Sequence, residues 1–281
     1  MKRLLLTSLV AASLATFATS SHAEGIAFIT DVKGDVTLNK TRAAIMSALD
    51  KGARIACTRD CVVGVMYLQS GKEYTLKGPG DFQIGATEVA AKIGPPPAVR
   101  ETQWKIKPAT VIAAQTASAS IRMRAVGAAG SAEVSDSGAY PSKTNVTSLT
   151  PLFRWAAPKT GESVRFELAA KDPSRNFSVA STLSASSASY SASTPLAVDT
   201  EYTWAVKQGA AVLVESSFRT LPAQAVEHLA SRKPSESAPF SDRLVYAMTL
   251  KDLKADQDAR DAFGKLASER PDLKELAALA K

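Results

Sequence analysis

Few side chains in this sequence are arranged to do chemistry. Cys57 and Cys61 are the only two cysteines, set in the run Cys57-Thr58-Arg59-Asp60-Cys61. A thiol pair can ligate a metal, exchange electrons or staple the backbone. A metal site needs further ligands, yet beyond residue 23 the one histidine is His228, far away in sequence. Redox pairs are usually C-x-x-C at a helix start, whereas this C-x-x-x-C lies between strand-like segments. Residues facing each other across antiparallel strands come within disulfide reach, so a structural Cys57–Cys61 disulfide is predicted. In so short a loop, chain entropy limits its contribution to about 2 kcal/mol.

Other reactive arrangements are missing. His228 follows Glu227 in a helical stretch with no nucleophile motif nearby, which does not favour a Ser-His-Asp or Cys-His site. The signatures G-x-S-x-G, H-E-x-x-H, the phosphate-binding loop and the dinucleotide fingerprint do not occur. Paired carboxylates carry no local spacing, but the acidic residues fall mostly in turns and on helix faces, where solvation explains them. The expectation is a non-enzyme, with no catalytic, cofactor-binding or metal-ligating residue and no cofactor.

The elements that carry these residues begin with an export signal. Lys2 and Arg3 precede an apolar run from Leu4 to Ala18, and Ser21-His22-Ala23 supplies small residues for cleavage between Ala23 and Glu24. Thr7, Ser8, Ser13 and Thr16 interrupt the run, which is short for a bilayer span. Glu24, not a cysteine, stands directly after the cleavage point, so no lipid attachment is expected. The mature chain is expected in a bacterial periplasm, without a transmembrane segment. Lys2 and Arg3 leave with the signal, lowering the net charge from +7 to +5. No block of five like charges occurs, which argues against nucleic acid and mildly favours anionic envelope surfaces.

Residues 24–94 read as short strands joined by tight turns. Val63, Val65 and Tyr67 alternate, as do Phe82 and Ile84, and turns recur at Gly52, Gly71 and Gly78-Gly80. The runs VKGDVTLN, LDKGARIAC and VVGVMYLQSGKEYTLKGPGDFQI resemble the FecR-type periplasmic domain over about residues 26–94. The matching positions are Gly34, Val36, Gly52, Ile55, Leu68, Gly71, Leu76, Gly80, Phe82 and Ile84. Ser70-Gly71 stands where that family usually has Asp-Gly. The best-known members regulate a sigma factor through a cytoplasmic segment and a transmembrane helix. Here a signal peptide comes directly before the domain, so the resemblance implies an envelope-facing β module without that wiring.

Residues 95–130 read as a linker. Pro95 to Pro97 cannot pair within a sheet, and Ala, Ser and Gly dominate the later part of the segment. One strand is expected around Ser120–Met123. Trp104 is expected to pack on a neighbouring module rather than to bind a ligand.

Residues 131–221 contain strands separated by Ser, Gly and Pro turns, the pattern of a β-sandwich. The segment resembles a fibronectin type III domain. Trp155 matches its early core tryptophan, and Leu196, Thr200 and Tyr202 match its corner motif, with Val198 in place of proline. The resemblance implies that Tyr202 buries its ring and hydrogen-bonds back to the chain. Trp204, two residues on, shares its inward face.

From residue 222 the period changes to helical. A helix of about 242–253 offers Leu244, Ala247, Met248 and Leu250, and a second offers Ala259, Ala262, Phe263 and Leu266. Asp256 or Asp258 is expected to cap the second helix, and Pro271 to close it. The pair resembles one tetratricopeptide-type repeat, with Arg243 in place of the early tryptophan. The echo of LASRKP (229–234) in LASERP (266–271) suggests half a repeat at 222–233, and 272–280 reads as a solvating cap.

The chain is thus expected to be mainly β, a FecR-like module and a fibronectin type III-like sandwich with a short helical C-terminal tail. The leading functional expectation is a periplasmic scaffold whose tail binds an envelope protein partner. Binding of peptidoglycan or another acidic glycan is the alternative, and regulation through a separate membrane partner is a weaker one.

Overall fold

The computed structural model describes residues 25–107, 110–111, 138–157 and 163–281. Ala23 and Glu24, and the strand expected around Ser120–Met123, lie outside these residues. The chain is mainly β, and the longer helices among the described residues lie at the C-terminal end. No helix among the described residues is long and apolar enough to cross a membrane.

The first part holds ten strands: β1 (Ala27–Lys33), β2 (Val36–Leu38), β3 (Thr41–Arg42), β4 (Ala48–Leu49), β5 (Arg54–Cys57), β6 (Val62–Tyr67), β7 (Lys72–Lys77), β8 (Gly80–Ile84), β9 (Val89–Ile93) and β10 (Ala98–Glu101). They form two antiparallel sheets, ordered β10-β7-β6-β1-β4 and β3-β2-β5-β8-β9. Strand β5 alternates cleanly, with Ile55 and Cys57 buried and Arg54 and Ala56 exposed, so its sheet has one dry face. In β6 nearly every residue is buried. Its sheet is covered on both sides.

Successive side chains of a strand point to opposite faces, and the first sheet uses both. Ala27, Ile29, Val63, Val65 and Tyr67 meet Ile55, Phe82 and Ile84 of the second sheet in one core. The off-phase residues Phe28 and Met66, with Leu68, enter a different core made mostly by the helices. Gly64 also lies on the helix side, where a Cβ would come within 2.3 Å of Thr30 Oγ1. The sheet is therefore a wall between two cores.

Part of the expected linker belongs to this module. Strand β10 pairs with β7 in the register Val99↔Tyr74. The Gly71 carbonyl accepts from Thr102 Oγ1 at 2.8 Å, and Ile106 N–H donates to the Leu68 carbonyl at 3.0 Å. Gly71 has φ +70°, and the Trp104 carbonyl lies 2.2 Å from where its Cβ would be. That path leaves Trp104 only 3 % exposed, against the helices.

The second β module comprises β11 (Thr144–Val146), β12 (Leu152–Arg154), β13 (Val164–Ala170), β14 (Ser178–Leu183), β15 (Ser189–Ser191), β16 (Glu201–Gln208) and β17 (Ala211–Thr220). The sheet β11-β17-β16-β13-β14 carries one parallel pair, β11 with β17. The ribbon β12-β15 shares its core, where Phe153 meets Phe166 and Trp204 edge to face at 4.9 and 5.3 Å. Tyr202 is buried, and its Oη accepts the Ala197 N–H at 2.9 Å. Trp204 lies inward as well and donates its indole N–H to the Pro141 carbonyl at 2.7 Å.

The C-terminal part holds four helices: α1 (Ala223–Arg232), α2 (Phe240–Asp252), α3 (Asp256–Glu269) and α4 (Lys274–Leu279). Leu244, Val245 and Met248 of α2 meet Ala259, Phe263 and Leu266 of α3 in the core that also takes Phe28 and Met66. Here the structure differs from the solvating cap expected at 272–280. Leu273, Leu276 and Leu279 are buried in that same core.

Candidate functional site

The Cys57–Cys61 disulfide is present, with a Cα–Cα distance of 5.7 Å, and both residues are buried. Its partners are not neighbours in one hairpin, as the spacing suggested. Cys57 ends β5 in the second sheet, whereas Cys61 directly precedes β6 in the first. The bond staples the corner where the chain passes from one sheet to the other. Asp60 makes that corner with φ +63°.

The helices are joined to both β modules by polar clusters whose bridging contacts are distant in sequence. On the first module, Glu73 of β7 is the centre. Its carboxylate accepts from Thr30 Oγ1 at 2.8 Å, from Ser241 Oγ at 2.9 Å and from Arg100 Nε at 3.1 Å. Arg100 also donates to both carboxylate oxygens of Asp242 on α2 at 3.1 Å. Burial opposes the Arg100 charge, but its hydrogen bonds to Asp242 and Glu73 outweigh this and raise its pKa. A second anchor is Arg270, just past α3, which donates to Asp31 and to the Val32 carbonyl of β1. Hydrogen bonds to Asp272 and then Asp31 raise the Arg270 pKa.

On the second module the turn between α2 and α3 docks against the start of the sandwich. Neither Asp256 nor Asp258 caps α3. The Asp256 N–H donates instead to Thr144 Oγ1 at 2.9 Å, so a threonine from β11 does the work of an N-cap. Asp258 accepts from Tyr140 Oη at 2.9 Å and from Thr147 Oγ1 at 2.8 Å. Burial, and then the Asp258 charge, push the Tyr140 pKa up and keep the phenol a donor. Asn145 Nδ2 donates to the Leu253 carbonyl at 2.7 Å, and the Asn145 N–H to the Lys254 carbonyl at 3.0 Å.

Beside this junction a cleft of about 390 Å³ opens between Thr147, the α1–α2 connection and the outer faces of α2 and α3. Lys233, Arg243 and Lys265 face Glu236, Asp258 and Asp261 around Tyr246 and Leu250. Arg243 pairs with Glu269 at 2.7 Å, and Lys265 lies 3.8 Å from Glu236.

His228 is exposed on α1, away from both cysteines in the chain. Burial and the nearby Arg232 charge lower its pKa. All three tryptophans are buried: Trp104 at 3 %, Trp155 at 5 % and Trp204 at 1 % exposure. Sequence reasoning missed Arg100, Glu73, Thr144 and Arg270 as anchors. Their partners lie more than a hundred residues away in most cases, and a lone Arg or Thr in a strand gives no local sign of them. No family model matches the chain, and no curated protein matches it.

Proposed function

We propose that this protein is a non-enzymatic periplasmic scaffold, in which a FecR-type module and a fibronectin type III-like sandwich are held together by tetratricopeptide-like helices for an envelope protein partner. What carries the reading is the use of the helices. Their apolar faces are spent on closing the core beneath β1 and β6, and their polar ends grip both β modules. A chain built this way holds two β surfaces in a fixed relation, which suits a platform that positions partners.

The mixed-charge cleft beside the junction is the contact surface we assign to the partner, because alternating signs around Tyr246 and Leu250 suit a polar protein interface. The disulfide supports export, since such bonds persist in oxidising compartments. Stacked sugar binding gains no support from the tryptophans, which are inside.

A photo-crosslinking residue placed at Lys265, on the cleft rim, tests the proposal in intact cells. A discrete protein adduct is expected from that position and not from Arg165, exposed on β13 and outside the cleft lining. Sedimentation with purified cell wall that persists at high salt, without any protein adduct, would replace the scaffold with a wall binder. Removing the helices does not serve here, because it uncovers Phe28 and Met66 and tests folding instead.

A further inference from the structure

Helix α1 places Gln224, His228 and Arg232 four residues apart, on one face. That face is one wall of a groove of about 330 Å³. The stretch from Trp104 to Lys107 also lines it, as do Thr249 and Leu253 at the end of α2. Three cations line it, Lys105, Lys107 and Arg232, against a single carboxylate, Asp252. None of the three has an ion pair or side-chain hydrogen bond among the described residues.

Two other cavities pair cations with carboxylates of their own surroundings. Arg243 has Glu269, Lys265 has Glu236, and Arg165 and Lys207 share Glu167. In this groove three cations face one carboxylate, and burial and then the Arg232 charge lower the His228 pKa. A second observation concerns Trp104. Its indole N–H is buried in the groove wall and has no hydrogen-bond partner, which costs ~1–3 kcal/mol when such a donor stays unmet. Ile106, Ala225 and Leu253 add apolar surface beside it.

We propose that this groove binds a small anionic amphiphile, a molecule with one negatively charged head and a short apolar body. The head lies between Arg232 and the two lysines, which charge-assisted hydrogen bonds favour, and the body lies on Ile106, Leu253 and the Trp104 ring. The volume is at the low end of the ~300–1,000 Å³ typical of small-molecule sites, so the body is short. The inference rests on the groove alone and stands apart from the scaffold reading.

Octanoate is the probe, added to the full mature chain and followed by the indole N–H signals in a nitrogen–proton correlation spectrum. Trp104→Phe assigns the Trp104 signal. A saturable shift of that signal is expected, with Trp155 and Trp204 unmoved. Octanol lacks the charge and acetate lacks the body, so each should bind at least about tenfold more weakly, a factor equal to ~1.4 kcal/mol. Arg232→Gln should weaken octanoate by a similar factor. Lys105→Gln combined with Lys107→Gln should do the same from the other stretch, which covers the case in which the helix variant fails to fold. No saturable shift, equal binding of octanol, or unchanged affinity in the lysine variant would each overturn the proposal.

Discussion

Replacing Glu73 by alanine tests how the helices are held, because one carboxylate there serves donors from three segments. Its removal leaves Thr30, which is 0 % exposed, and the buried Ser241 without their acceptor. Each orphaned hydroxyl costs ~1–3 kcal/mol. Arg100 keeps Asp242 and is partly exposed, so its own loss is small. Breaking a buried ion pair from one side costs about 3–5 kcal/mol, and the surviving Asp242 contact points to the lower end, about 3 kcal/mol. That is a large part of the ~5–15 kcal/mol that stabilises an ordinary domain. A chain of several modules need not unfold in one step, so hydrogen exchange read segment by segment is the assay. Amides of α2 should exchange about a hundredfold faster, the equivalent of ~3 kcal/mol. Those of β13 and β16 should not change. Glu73→Gln should fall between, since its amide still accepts from the hydroxyls but presents N–H groups to Arg100. Unchanged exchange in α2, or equal acceleration in β16, would refute the reasoning.

Three further outcomes are expected from the same geometry. The non-reduced chain should show a two-hydrogen mass loss on the peptide spanning Cys57 and Cys61, and replacing both by alanine should lower stability by about 2 kcal/mol in urea unfolding. Thr144→Val removes the acceptor for the Asp256 N–H and should cost ~1 kcal/mol, with faster exchange confined to the first turn of α3. Hydrogen bonding to Arg270 holds the Asp272 carboxyl below its ordinary pKa. Its contribution is therefore complete above the ordinary carboxylate range and is lost as pH falls through the lowered folded value. Asp272→Asn should flatten the acid fall in thermal midpoint over that window, and an unchanged acid profile would count against the pair.

The local parts of the fold were readable in the sequence because their causes are local. The alternation of β5, the shared inward face of Tyr202 and Trp204, and the apolar face of α3 each arise from side-chain spacing. Much of the junction was not readable. Phe28 and Met66 break the alternation of their strands, and that off-phase pair was the available sign of a second buried face. The cysteine spacing predicted the bond but not its setting, since a three-residue loop can turn a hairpin or pass between sheets. The N-cap of α3 was sought among nearby aspartates, whereas the acceptor comes from Thr144, 112 residues earlier. Periodicity reports which residues turn inward. It does not report which element they will meet.

The wall between the two cores also bears on the order in which the chain can finish folding. Strand β1 comes early in the sequence, and Arg270, the partner of its Asp31, lies 239 residues later. During synthesis, Phe28, Met66 and Trp104 stay wet until the C-terminal helices emerge. Long-range contacts of this kind form late and expose apolar surface meanwhile. A nascent chain stalled before residue 240 would present a ready-made sticky sheet to holding chaperones.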